Sequence, residues 1–431
     1  MSAIEAITRF ACAEHTLPEQ ARADALRLLG DTLAGGAAGA QSVEAAKVLE
    51  ALPLGGDAAR LLNGGTASAP EAAFFNGFAI HCLEWDAVHE GAVVHALSVV
   101  TAALLAKADE IGGCNPEDFL TALAVGVDIA SGLGIAATGP MELFRPATAG
   151  VIGAALACAR LTDLVREAYA DVAGLAYSFA AGTMQAHVEA SIALPLQIAN
   201  ASRSAITAVA LIEAGMDGPH DILEGSFGYS KLFEPLDLTR YTADLGKVWR
   251  ISEIAIKPFP SGRASHGALG ALEPLVRDGL CLEEVAKAEL FAPPLIQRLV
   301  GRPYKPEMTA AYARLCLPIL APLMLRDSII DPALFDGQDL HAPELTRLAM
   351  KVSVELDGNS DGNAMNPQRL VITKTNGEVI ESVIDATLGS IAHPMNVDQA
   401  QGKYGLCKRL AGSSADPRIF NAPLSYATER R

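Results

Sequence analysis

Between positions 81 and 95 lie the histidines His81, His89 and His95, the closely spaced acids Glu84 and Asp86, and Trp85 between them. They lie in the stretch NGFAIHCLEWDAVHEGAVVHALS, Asn76 to Ser98, beside a run of small and aromatic residues. Titratable groups packed against an apolar wall acquire shifted pKa values, and general acids and bases depend on such shifts. The chemistry to expect is therefore proton transfer. Glu84 and Asp86 follow an apolar helical stretch, where the helix macrodipole disfavours acids, so their position carries a cost that calls for a reason. The plain alternative is a solvated helix terminus. A zinc site built from Asp86, His89 and His95 is set aside, because these residues do not make the i, i+4 helical pair typical of such sites. No metal and no cofactor are expected.

A second constellation is Lys257-Pro-Phe-Pro-Ser-Gly-Arg263-Ala-Ser-His266. A strand ending at Lys257, a proline-rich turn and a helix starting near Ser265 would place Arg263 beside a helix N-terminus, which suits a carboxylate or phosphate. The alternative is a capped strand-to-helix connection with exposed cations.

The elements that must position these groups are mostly helices. Helical periodicity covers Pro18–Leu33, Ser68–Trp85, His95–Glu110, Pro116–Ala130, Thr148–Leu161, Val165–Ala181 and Ala201–Ala214. Ser68 and Glu71 have the spacing of a capping box. Gly150 and Gly153, three apart, let another helix approach closely. The texture changes near residue 248. Val248–Pro258 and Leu348–Leu356 alternate as strands, and Gln368–Lys374 and Val379–Ile384 flank Asn376-Gly377, a strong hairpin signal. A helix follows His266, and Val397–Leu410 is helical again. The fold class is mainly α: a large all-α helical domain of residues 1–247 and 394–431, plus a smaller α+β lid domain of residues 248–393.

The chain of 431 residues carries a net charge of −17, the wrong sign for reading a nucleic-acid backbone, so no nucleic-acid partner is expected. Seven scattered cysteines without a CxxC pair fit a reduced, cytoplasmic protein. The run Gly91–Ala106 is the most tempting membrane segment. It is short and contains His95, so it reads as a buried helix and no membrane partner is expected.

Asn76-Gly77, His81, the acid pair and His95 opening the next helix together resemble the MmgE/PrpD family. Its activities include 2-methylcitrate dehydration, cis-aconitate decarboxylation and iminodisuccinate epimerisation. The family pattern there is roughly NG-x-x-x-H-x-x-D-[FY]-D-D, followed by H-P-S. Further stretches agree: Arg145-Pro-Ala-Thr148-Ala-Gly150-Val-Ile-Gly153, Gly215-Met-Asp-Gly-Pro219, Leu223-Glu-Gly225-Ser-Phe-Gly228, Lys257-Pro-Phe-Pro with His266, and Lys403-Tyr404. The resemblance spans nearly the whole chain. It implies a homodimer, an active site between the two domains, no metal, and a small di- or tricarboxylate substrate.

The chain also departs from the family pattern. Glu84 stands for the first Asp, Ala87 for the last, and His95 is followed by Ala-Leu-Ser. Arg145 stands where many members have His, and Leu194-Pro-Leu-Gln197 replaces a K-R-x-H stretch. Gly262 replaces the turn cysteine or histidine, and Ile319 falls where the decarboxylase has a tyrosine. The expected catalytic groups are Asp86, His95, Lys257 and His266. Substrate contacts are expected from Glu84, His89, Arg145, Gln197 and Arg263, with Lys257, Arg263 and Arg145 supplying positive charge to carboxylates. The expected reaction is a lyase step by proton abstraction next to a carboxylate. An epimerase of an amino- or imino-dicarboxylate and a catalytically lapsed dimeric binding protein are the alternatives.

Overall fold

The computed structural model describes residues 1–430 apart from 53, 54 and 337. It is mainly helical with a small sheet. Helices Glu19–Gly39, Ala69–His81, Ala96–Glu110, Pro116–Ala136, Arg145–Ala159 and Ala193–Glu213 pack on one another through small side chains. Alanine and glycine make this close approach possible. A Cβ built on Gly153 would sit 2.4 Å from the carbonyl oxygen of Gly126 on the neighbouring helix, and one on Gly39 would meet the Ala79 carbonyl at 2.0 Å. The helix Pro116–Ala136 is long and apolar enough to cross a membrane, yet it is almost wholly buried among the others. It runs past the expected end at Ala130, whereas the Gly91–Ala106 run enters a helix only at Ala96. The Asn115 side chain accepts from the Glu117 amide and Pro116 occupies the first turn, which fixes its start.

Among the described residues the buried apolar side chains form two cores. One gathers residues from Ile4 to Ile256 together with Cys407, Ala411, Ile419 and Tyr426 of the tail. The other gathers Phe259 to Leu388, with Ala190 reaching in. The second core holds a four-stranded sheet in the order Val352–Leu356, Val285–Ala292, Gln368–Lys374, Val379–Ile384. The first pair is parallel and the other two are antiparallel. The hairpin turns at Asn376-Gly377 as expected, with Gly377 at φ 89°. Helices His266–Arg277 and Leu317–Asp327 pack on the sheet.

The structure departs from the expectations at four points. Val248–Pro258 is not a strand. Arg250–Glu253 is a 3-10 turn, and past it Ala255 makes a lone antiparallel bridge to Val88. Residues 254–257 are all buried, so the alternation had no solvated face behind it. The helix expected over Ser68–Trp85 ends at His81. The Ser68–Glu71 capping box does not form, because the Ser68 amide already donates to the Gly55 carbonyl and Glu71 turns to Arg203. The strand Val285–Ala292 was not expected, since Ala, Lys and Glu are weak strand formers.

Adding a methyl group at the helix crossing tests whether small residues set its distance. Gly153→Ala should destabilise the protein by about 1–3 kcal/mol, as overpacking does. Urea unfolding of the variant measures it, and an unchanged midpoint would show that the helices have room to spare.

Candidate active site

The helix Ala69–His81 stops because the chain turns sharply at Glu84, whose φ of 54° is left-handed. Such a conformation costs a non-glycine residue about 1–2 kcal/mol, so it must be held by its contacts. Lys257 supplies them. Its ammonium donates to the Glu84 carbonyl at 3.0 Å and to Glu84 Oε2 at 3.2 Å. The same turn is fastened by Trp85 Nε1 donating to the Pro258 carbonyl and by Lys403 donating to the Trp85 carbonyl. The loop carrying the acids is thereby tied to both cores.

The turn brings Asp86 back beneath the helix it left. Asp86 Oδ2 lies 2.9 Å from His81 Nδ1, accepts from the Ser98 hydroxyl, and lies 3.0 Å from His95 Nδ1. The His95 contact has the distance of an ion pair but not the alignment of a hydrogen bond. Asp86 Oδ1 faces Lys257 Nζ at 3.8 Å. The two imidazoles meet edge to face, with centroids 4.8 Å apart.

These neighbours set the protonation states. Burial works against the charged form of Asp86, but the charges of His81, His95 and Lys257 hold its pKa well below the usual range. Burial opposes Glu84 too, and Lys257 with the two histidines brings it down to about 2. Burial pushes the His81 imidazole down, and the adjoining Asp86 and Glu84 together carry it above its usual value. His95 goes the other way: burial and the Lys257 charge outweigh the attraction of Asp86 and lower it. At neutral pH the cluster presents a neutral His95 with Nδ1 against an ionised carboxylate. That arrangement favours the tautomer with Nε2 unprotonated, a base.

His95 and Glu84 border a cleft of about 670 Å³, counting its open mouth. The His95 side chain is 13% exposed where Asp86 behind it is 1% exposed, so the imidazole is the part of the pair that meets the cleft. Arg263, Gly262 and Glu90 form another wall, and Phe144, Met141, Met184 and Leu299 make much of the rest apolar. His187, on the short helix Gln185–Glu189, also borders it, and burial brings its imidazole down to about 4.

The structure brings Glu84, Asp86, His95 and Lys257 together. The other expected residues stand apart from that cluster. Arg263 is at the cleft, but its Nε pairs with Glu90 at 2.9 Å and its Nη1 donates to the Leu388 carbonyl. His266 is fully buried beside Arg263 and Ser261, with its pKa pushed far down by burial and by the Arg263 charge. His89 Nε2 pairs with Glu253 at 2.9 Å. Arg145 is buried against Glu234 and donates to the Ala92 carbonyl. Gln197 accepts from the Thr183 amide, fastening a loop. His81 and Ser98 were not among the expected site residues. The spacing of His81 and Asp86 about a helix end was the available signal. No spacing pointed to His187.

His81, Asp86 and His95 offer ligand atoms within 4.8 Å of one another, enough to hold a metal ion. The Lys257 ammonium stands 3.8 Å from the same carboxylate, where its charge would oppose a dication.

The MmgE/PrpD N-terminal domain model matches residues 6–239 and the MmgE/PrpD C-terminal domain model matches residues 259–419. The chain belongs to the MmgE/PrpD family. It is 26% identical over 392 residues to the cis-aconitate decarboxylase-like protein oryM of Aspergillus oryzae, covering 83% of this chain and 79% of that protein. It is 28% identical over 308 residues to the cis-aconitate decarboxylase of Mus musculus, covering 66% of this chain and 60% of that protein. The Homo sapiens cis-aconitate decarboxylase is 23% identical over 351 residues, 77% of this chain and 71% of that protein.

The Glu84–Lys257 pair has a signature in acid. The unfolded chain binds a proton at Glu84 near pH 4.3, whereas the folded carboxyl does so only at about 2. Its contribution, on the order of 2–3 kcal/mol, is therefore full above the unfolded pKa and declines as pH falls toward 2. Glu84→Gln should be less stable than the parent at pH 7, and the gap should shrink by about half by pH 3. Urea unfolding at the two pH values checks this, and equal gaps would contradict the pairing.

Proposed function

We propose that this protein is a metal-independent lyase that abstracts a proton next to a carboxylate of a small di- or tricarboxylate, with His95 as the base. One observation carries the reading: a neutral imidazole at the cleft wall whose Nδ1 rests against a buried, ionised Asp86. The pairing fixes the ring and stabilises the imidazolium that forms when Nε2 takes a proton. Glu84 and Lys257 hold that carboxylate's surroundings in place. The apolar walls keep water away, so the carbanion left by proton removal is not quenched before its electron pair expels a hydroxyl from the neighbouring carbon and forms the alkene. The relatives named as cis-aconitate decarboxylases support a carboxylate substrate and a lyase. We further propose a cytoplasmic homodimer.

A second reading is an epimerase. It is favoured by His187, a second buried imidazole bordering the same cleft, since epimerisation needs two proton carriers. Proton NMR in D2O with cis-aconitate and related di- and tricarboxylates separates the two. An alkene product or loss of carbon dioxide marks the lyase, and deuterium at the α-carbon without loss of substrate marks the epimerase.

Two kinetic outcomes are expected. His95→Gln should lower kcat/KM by about 10²- to 10⁴-fold, the range for a general base. Because the His95 pKa lies below its ordinary value, the wild-type rate should be flat at neutral pH and fall only as pH drops below about 6.5. Near-normal turnover in the variant, or an acid limb centred above pH 7, would remove His95 from the base's role.

A further inference from the structure

The cations expected to receive a substrate carboxylate are already engaged. Lys257 pairs with Glu84, Arg263 with Glu90, and Arg145 with Glu234. Arg314 is different. Its side chain is fully buried, and Nη1 donates to the Cys82 carbonyl at 3.0 Å. Nε and Nη2 are buried without a hydrogen-bond partner, and among the described residues Arg314 forms no ion pair. The guanidinium lies over the Phe335 ring at 5.2 Å, which offers it no anion. Arg302 also has an unpartnered Nη1, but it is only partly buried and water can reach the side chain.

A guanidinium does not lose its proton in a protein, so burial cannot be relieved by neutralisation. A buried cation without a counter-charge is strongly unfavourable unless an anion joins it. Nε and Nη2 lie along one edge of the guanidinium, and that edge presents two parallel N–H groups to the two oxygens of a carboxylate. The place is also suitable. Arg314 borders a narrow pocket, about 300 Å³ only when the space open to solvent is counted, with Cys82, Glu84, Leu194, Pro195 and Leu315. Glu84, Leu194 and Leu315 are walls of the His95 cleft as well. The backbone at Arg314 is fixed by Gly262, whose amide donates to the Arg314 carbonyl.

We propose that Arg314 is the seat of a substrate carboxylate, its Nε–Nη2 edge pairing with both oxygens while the rest of the molecule extends past Glu84 and Leu194 toward His95. This rests on the cleft being the substrate site. It makes Arg314 a binding residue and sets a requirement on the substrate: one carboxylate separated from the reacting carbon, with an apolar span between them.

Isothermal titration calorimetry with cis-aconitate and itaconate, and with the uncharged dimethyl itaconate, tests the assignment on wild type, Arg314→Gln and His95→Gln. Arg314→Gln should weaken both carboxylates by about tenfold or more and leave the diester unchanged, while His95→Gln should bind the carboxylates nearly as wild type does. Equal carboxylate binding by Arg314→Gln and wild type overturns the proposal, as does a wild-type protein that binds neither acid. Should Arg314→Gln not fold, wild-type crystals grown in sodium bromide decide the matter. An anomalous peak beside Nε and Nη2 supports the seat, and an empty position there overturns it. Full turnover by His95→Gln together with Arg314-dependent binding would instead defeat the assignment of His95 and leave Arg314 standing.

Discussion

The buried carboxylate of Asp86 is the constraint on which this site is built. An anion removed from water is costly, and the cost is offset only if donors surround it in good geometry. Here the partners come from three separate places: His81 closing one helix and Ser98 opening another hydrogen-bond it, while His95 beside Ser98 and Lys257 from the start of the second core stand at ion-pair distance. Each partner ties one stretch of chain to the same carboxylate. The left-handed turn at Glu84 is what allows Asp86 to reach all of them.

That arrangement makes the two histidines unequal although both touch one oxygen. His81 sits between Asp86 and Glu84, so negative charge dominates its surroundings. His95 has Asp86 on one side, with burial and the Lys257 charge working against a second positive charge. One imidazole is thus biased toward the cationic form and its neighbour toward the neutral one. Adjacent groups pushed apart in this way are the usual means by which a protein separates structural from proton-carrying roles.

Much of this was legible in the sequence. The crowding of His81, Glu84, Asp86 and His95 beside apolar helices marked the cluster, and the hairpin at Asn376-Gly377 carried its own turn chemistry. What was not legible depended on partners distant in sequence. Arg145 and Arg263 read as free cations because nothing local shows that Glu234 and Glu90 face them. Val248–Pro258 read as a strand because alternation of residue types does not show whether both faces are buried. The strand Val285–Ala292 was hidden because its alanine, lysine and glutamate favour helix, and only pairing with Val352–Leu356 and Gln368–Lys374 overrides that preference.

The balance of charge at the cleft bears on what can enter it. Lys257 and Arg263 contribute two positive charges, while Glu84, Asp86 and Glu90 contribute three negative ones, and a protonated His81 brings the sum to zero. Such a field does not draw in a polyanion by long-range attraction. Binding must instead come from short-range pairing with a donor that has no partner, or from exchange of an internal carboxylate for one on the ligand. Exchange at Lys257 would release the turn at Glu84 and disturb Asp86 and His95 with it. The chemistry of the cluster is therefore best preserved when the incoming carboxylate settles away from Lys257, leaving the Glu84–Lys257 pair intact to hold the base.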